Sequence, residues 1–232
     1  MTALVHAPAF GLALTLLAYL GAGELHRRLG RPAVLAPVLV ATVVVAVALE
    51  VLGIGYREYL ASVSVLTLLL GPATVALALP LLREGRALLV ARSAVLVTLL
   101  VTGLVSVGVT VGALEVLGVA DDLVRTALPR SVTTPVALTL ADTIGAVATL
   151  TVVLTLVSGV LGAVVGPALL SLVRVRDPRA RGFAIGLTSH GIGTSRALAE
   201  SEVAGGWSSA AMVLNALVMT AALPLVARSF GG

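Results

Sequence analysis

Ser131-Val-Thr-Thr-Pro-Val-Ala-Leu-Thr-Leu140 is a short apolar run opened by three hydroxyls and a proline, and the architecture turns on it. It lies between Arg130 and Asp142, in a chain whose other apolar windows are long enough to cross a bilayer. Pro135 removes one backbone N–H and frees a carbonyl four residues back, while the hydroxyls of Ser131, Thr133 and Thr134 can cap the exposed helix ends. The run is therefore expected to be broken or re-entrant.

The charges on either side lead to the same expectation. They fall in four clusters: His26-Arg-Arg-Leu-Gly-Arg-Pro32; Arg83-Glu-Gly-Arg86 with Arg92; Asp121-Asp122 with Arg125 and Arg130; and Arg174-Val-Arg-Asp-Pro-Arg-Ala-Arg181. The positive-inside rule puts the first, second and fourth on the cytoplasmic side. Three apolar segments separate Arg92 from Arg174, and an odd number of full crossings would leave the fourth cluster outside. One segment must turn back, and 123–141, short and carrying Pro129 and Pro135, is the candidate.

The whole chain has the same character. Of 232 residues 59% are hydrophobic and 11% charged, under half the charge of an ordinary soluble domain. The class is an all-α integral membrane protein, because backbone groups in hydrocarbon must be satisfied within each segment and the alternation of a β-barrel is absent. Apolar windows fall at 8–25, 33–53, 60–82, 87–117, 123–141, 145–173, a less apolar 179–200, and 206–228. That predicts seven or eight segments in one transmembrane domain over 1–232, two of them broken, as in a transporter. The first run lacks a basic leader and reads as a retained span. A net charge of +4 carried in pairs at segment ends does not suit nucleic acid. With no Cys and three scattered His, no metal, cofactor or catalytic constellation is expected.

An internal repeat is expected as well. Ala48-Leu-Glu-Val-Leu-Gly53 recurs as Ala113-Leu-Glu-Val-Leu-Gly118, and Val75-Ala-Leu-Ala-Leu79 as Val136-Ala-Leu-Thr-Leu140, which suggests copies over about 33–92 and 94–174. The second hit in each follows a proline, in Gly71-Pro-Ala-Thr74 and Thr133-Thr-Pro135. Paired interruptions of this kind point to a binding site made from the ends of broken helices.

The richest polar stretch is Arg181-Gly-Phe-Ala-Ile-Gly-Leu-Thr-Ser-His-Gly-Ile-Gly-Thr-Ser-Arg-Ala-Leu-Ala-Glu200. Ser189, His190, Gly191, Gly193 and Thr194 are expected to form one wall of a small-anion site, with Arg196 adding charge. Ser131, Thr133, Thr134 and Pro135 form the other wall, where free N–H groups suit a carboxylate. The glycines allow close approach either to a ligand or to a second helix. Arg196 and Glu200, four apart, also read as a solvated ion pair, and a Thr-Pro kink satisfied by neighbours would explain the other wall. Asp142, Asn215, Glu115 and Glu200 are candidates for coupling or gating. Asp142 reads better as the cap of a helix beginning near Ile144, and Asn215 as a bond to a neighbouring helix.

Five motifs, Ser131-Val-Thr-Thr-Pro-Val-Ala, Gly159-Val-Leu-Gly-Ala-Val-Val-Gly-Pro167, Asp177-Pro-Arg-Ala-Arg-Gly, Ser189-His-Gly-Ile-Gly-Thr-Ser-Arg-Ala197 and Ser208-Ser-Ala-Ala-Met-Val-Leu-Asn215, together resemble the CidB/LrgB family over essentially the whole chain. Ser195 stands where members often carry Ala. The resemblance implies either a holin- or antiholin-like regulator of murein hydrolases and lysis, or a carrier of small monocarboxylates such as glycolate, glycerate or pyruvate, coupled to H⁺ or Na⁺. It also implies a plasma-membrane location, a small LrgA/CidA-like membrane partner and a homo-oligomer.

Overall fold

The computed structural model describes residues 9–30, 35, 37–76 and 78–230. Its contacts divide the chain into two compact units, Met1–Ala76 and Leu77–Gly232, a boundary that falls inside the first suggested repeat copy.

The first unit holds α1 (Phe10–Arg28), α2 (Pro37–Leu52), α3 (Tyr56–Ser62) and α4 (Ser64–Ala76). Gly11 lets α1 lie against α3, since a Cβ there would overlap the Ser62 hydroxyl. Beside it the hydroxyls of Thr15 and Tyr59 are 2.8 Å apart. α2 stops at Gly53, whose φ of +66° admits the left-handed turn that returns the Ile54 N–H to the Leu49 carbonyl. The chain then bends by 120° into α3. The interruption expected at Gly71-Pro-Ala-Thr74 is not there: Pro72 lies inside α4. The helix forfeits one hydrogen bond at that proline without breaking.

The second unit carries α5 (Ala78–Arg83), α6 (Gly85–Val90), α7 (Arg92–Val116), α8 (Asp121–Ala127), a 3-10 turn at Leu128–Ser131, α9 (Thr134–Ile144), α10 (Ala148–Leu172), α11 (Pro178–Glu200) and α12 (Glu202–Ala227), ending in a 3-10 turn at Arg228–Phe230. The window 60–82 is thus divided among several helices, and 87–117 becomes a spanning helix only from Arg92. Among the described residues three helices are long and apolar enough to span a membrane: α7, α10 and α12 with its terminal turn. The bent pair α2–α3 would make a fourth. The described helices therefore account for fewer continuous spans than the seven or eight windows.

Local chemistry sets the helix ends. Asp177 accepts from the Arg179 N–H at 2.8 Å, with Pro178 in the first turn of α11, and Ser201 accepts from the Ala204 N–H at 3.0 Å. The hexapeptide Ala113–Gly118 repeats the α2 stop: Gly118 has φ +68° and the Val119 N–H returns to the Leu114 carbonyl. In both places an extended cap residue, Gly55 or Ala120, then opens a seven-residue helix. Beyond that point the two stretches diverge, because Pro135 sits in the first turn of a new helix while Pro72 is inside an old one.

α11 folds back on itself at His190, which brings Arg181 against Glu200; its second half forms a tight hairpin with α12 around Ser201, and its first half runs parallel to α12. A Cβ on Gly182 or Gly186 would collide with the backbone carbonyl of Ala204 or Ser208, so the two glycines set the interhelical distance. Phe183 and Trp207 meet edge to face at 6.2 Å, in a cluster with Val95, Leu99 and Leu187. A second cluster joins Leu128, Val132, Leu140, Met219 and Leu223. Trp207 Nε1 donates to Glu84 at 3.0 Å, which secures the chain just before α6 to α12.

Ala91, before α7, and Arg179, in the first turn of α11, border the same cleft and so lie at one end of the unit. α7 and α10 each run 25 residues, and only α8 and α9 lie between them. With α7 leading away from that end and α10 leading back, the α8–α9 pair enters and leaves on one side. The pair is broken at Val132–Thr133, within the stretch expected to be broken.

Candidate functional site

Two breaks and one asparagine build the site. The 3-10 turn ends at Ser131, and Val132 and Thr133 are extended before α9 begins. α11 is interrupted at His190, whose φ of +40° and ψ of −133° are not helical. Both interruptions release backbone groups that a membrane interior would leave unpaired. Asn215, buried midway along α12, answers both: its Nδ2 donates to the Ser131 carbonyl at 2.9 Å and to the Leu187 carbonyl at 3.4 Å.

Between these elements lies a polar cavity of about 90 Å³, lined by Thr102 and Ser106 of α7, Arg130 and Ser131 of the turn, Ser158 of α10, Leu187 and Thr188 of α11, and Asn215 and Met219 of α12. Each long helix contributes positions near its middle. Thr102 stands about 15 Å along α7 and Ser158 about 15 Å along α10, at 1.5 Å per residue, so the cavity falls at mid-span. The Arg130 guanidinium is held on α7 by the Thr110 hydroxyl and by the Ser106 carbonyl at 3.5 Å. Those two contacts leave further N–H groups of its five for a guest. Among the described residues none gives the hydroxyls of Thr102, Ser106, Ser131 or Ser158 a hydrogen-bond partner. A cation ringed by free hydroxyls in a space of about three water volumes can hold one small anion.

The cavity does not join the two expected walls, since none of residues 133–135 and 189–194 lines it. Ser131 and Asn215 line the cavity. Ser189, His190 and Thr194 are buried and turned into the helix packing. His190 donates through Nε2 to the Thr155 carbonyl at 3.0 Å. Its ring fits because Gly159 has no Cβ, and Gly162 makes the same room for the Ser189 hydroxyl. Thr194 bonds the His190 carbonyl at 2.8 Å and the Ser208 hydroxyl at 3.0 Å, and Gly193 lies close under Ser189 and Ile185. Gly191 has open space around it. Two motifs that read separately in the sequence, Gly159 to Pro167 and Ser189 to Ala197, are the two halves of one contact.

That contact extends to α8 through a line of buried threonines. Thr126 accepts from the Val147 N–H at 3.0 Å, Thr151 donates to the Thr126 carbonyl at 3.0 Å, and Thr155 donates to the Thr151 carbonyl at 2.8 Å. The Thr155 carbonyl then receives His190. The threonine line thus ties the short helix α8 to the break in α11.

Thr133 caps α9 with its backbone alone, without a side-chain bond, while Thr134 and Pro135 form the first turn. Those three residues stand beside Ser131 but outside the cavity lining. Arg196 is 3.7 Å from Glu200 and 39% exposed, whereas Arg181 holds Glu200 through Nε at 3.1 Å with only 15% of its side chain exposed. Arg181 also reaches the carbonyls of Val175 and Pro167, at 3.1 and 3.3 Å, so Glu200 belongs to a clasp that holds the two ends of the folded-back α11 together and onto the end of α10. Asp142 and Glu115 are exposed, at α9 and the last turn of α7.

Arg130, Thr102, Ser106, Ser158 and Thr188 were not singled out for the site by sequence. Arg130 reads as the end of a flanking charge cluster. Its position directly before Ser131-Val-Thr-Thr-Pro135 is the one signal that sets it apart, since the break it precedes carries it into the helix bundle.

Comparison with known proteins agrees with the motifs. YxaC of Bacillus subtilis strain 168 is 37% identical over 223 residues, covering 94% of each chain. YwbG of the same strain is 33% identical over 215 residues, 93% of this chain and 95% of its own. The holin-like protein CidB of Staphylococcus aureus strain N315 is 28% identical over 217 residues, 94% of each. No solved structure matches the chain. The LrgB-like family profile covers residues 15–229, and the chain is a membrane protein that belongs to that family.

Proposed function

We propose that the protein carries small monocarboxylates of the glycolate, glycerate or pyruvate type across the plasma membrane. The observation that supports this reading is Arg130, held on α7 at the wall of a hydroxyl-lined cavity. An arginine within hydrocarbon is costly and tends to mark a substrate path. A carboxylate leaving water needs several donors to offset its hydration, and Arg130 with Ser131, Ser158 and Thr102 could supply them. The breaks at Val132–Thr133 and His190 give the elements around the cavity hinges about which access could alternate. Coupling to H⁺ or Na⁺ would fall to Asp142, the carboxylate of the broken segment, and a small LrgA-like membrane protein would be the partner.

A second reading, a holin-like oligomer that perturbs the membrane and modulates murein hydrolases, is favoured by the holin-like name of the CidB relatives. Uptake of labelled glycolate and pyruvate into proteoliposomes, with and without an LrgA-type protein, separates the two. The carrier reading expects saturable uptake that Arg130→Gln lowers by about 100-fold, as loss of a buried charge contact does. Flat uptake unchanged by Arg130→Gln, accompanied by leakage of trapped dye, would establish the holin-like reading instead.

A further inference from the structure

Beside the Arg130 cavity lies a larger cleft of about 520 Å³, and the two share a wall made of Thr102, Leu187 and Thr188. The cleft runs between Ala91 with one stripe of α7, Ala94, Thr98 and Thr102, and one stripe of α11, from Arg179 through Ala180 and Ala184 to Thr188, with Val95, Phe183 and Trp207 also on its wall. Residues three or four apart share a helix face, so two continuous surfaces oppose each other from the end of the unit to its middle. Apart from Arg179 the two facing stripes are small, and such residues keep the gap open where leucines would fill it. Its character changes with depth: Arg179 beside Asp177 at the mouth, alanines below, then the hydroxyls of Thr98, Thr102 and Thr188 before Arg130. A lipid-filled crevice has no need of an arginine at each end and hydroxyls at its floor.

We propose that this cleft is the route by which a small anion reaches Arg130 from the end of the unit bearing Asp177 and Arg179, and that Leu187, with Thr102 and Thr188 beside it, is the filter that sets the size of what passes. The inference rests on the carrier reading and adds to it a direction of access and a specificity-determining residue. Leu187 is well placed to act as that filter, being 3% exposed, packed in the cluster of Val95, Phe183 and Trp207, and three residues before the break at His190. A movement of α11 at that break would shift Leu187 directly. The basic cluster from Arg174 to Arg181 makes the open end the cytoplasmic one.

The chain contains no cysteine, so single cysteines report accessibility without background. Thr98→Cys and Ala184→Cys are placed in the cleft, Ser158→Cys in the cavity, Arg179→Cys at the mouth and Val116→Cys at the far end of α7. Each is treated with an anionic, membrane-impermeant methanethiosulfonate in vesicles of either orientation. Thr98→Cys and Ala184→Cys are expected to react from the face that labels Arg179→Cys. Ser158→Cys is expected to react slowly, and about tenfold faster when Leu187→Ala or the milder Thr102→Ala is added, a lowered barrier to entry. Cleft cysteines that stay unreactive from that face, or react from the face that labels Val116→Cys, overturn the route. A rate at Ser158→Cys indifferent to both widening variants overturns the filter. Labelling needs no substrate, so its failure is separate from a failure of carboxylate uptake, which would remove the carrier reading and leave the cleft as an aqueous entrance.

Discussion

Asn215 donates to the Ser131 carbonyl at 2.9 Å from the middle of a helix 84 residues further along the chain. The same nitrogen reaches the Leu187 carbonyl, so one side chain satisfies the released backbone at both breaks that border the cavity. The pairing is one of donor with acceptors, and its chemistry sets the first prediction.

Asn215→Leu should lower stability by about 1–3 kcal/mol, the cost of leaving buried carbonyls unpaired. Asn215→Asp, nearly the same in shape, should be worse, because it sets acceptor against acceptors. Thermal unfolding in detergent measures both. An aspartate variant as stable as the parent would show that the amide is not the donor to these carbonyls.

Gly159 and His190 are expected to behave as one unit. Gly159→Ala puts a methyl where the imidazole lies, and overpacking of this kind costs about 1–3 kcal/mol. If the collision is the cause, His190→Ala will cost less in the Gly159→Ala background than in the parent, with a coupling of about 0.5–3 kcal/mol. Additive losses in the double-mutant cycle would mean that the two residues do not meet.

The glycines of α11 divide sharply. Gly182→Ala and Gly186→Ala drive a methyl into the backbone of α12, which has no side chain to swing away, and each should impair folding. Gly191→Ala meets nothing and should be neutral or stabilising by up to about 1 kcal/mol, through helix propensity. Expression and melting temperatures of the three variants test the contrast. Loss of uptake in a stably folded Gly191→Ala would point instead to a ligand beside that residue.

Glu200 offers a comparison between its two arginines. Arg181→Ala removes a half-buried ion pair and its bonds to the carbonyls of Val175 and Pro167, and should destabilise by about 2 kcal/mol. Arg196→Ala, at a longer and more exposed contact, should cost no more than about 0.5 kcal/mol. Equal effects on the melting temperature would contradict the clasp, and a specific fall in uptake with Arg196→Ala would return that residue to the site.

How much of the fold and site is legible in the sequence varies with the range of the interaction. Pro135 after Thr133-Thr, and Gly118 after Val-Leu, mark where helices start and stop, because backbone dihedrals and caps are decided within a few residues. Pro72 shows the limit of such reading, since a proline can lie inside a helix, as Pro167 and Pro224 also do. The polar cluster at Ser189, His190 and Thr194 was visible, but not what it faced: a histidine that bonds a carbonyl on α10 and one that holds a substrate have the same sequence. Arg130 was hidden for the opposite reason, because an arginine beside Asp121, Asp122 and Arg125 looks like a membrane flank until the break at Val132 carries it inward.

Hydropathy, motif order and local backbone chemistry are written along the chain, and they carry the membrane class, the family and the break at Val132–Thr133. Which polar groups share a space is a matter of packing. Thr102, Arg130, Ser158, Thr188 and Asn215 come from separate elements and converge only when the helices pack. Gly159, Gly162, Gly182 and Gly186 set how closely those helices approach, and each acts by the absence of a side chain, whose effect depends on the atom that lies opposite.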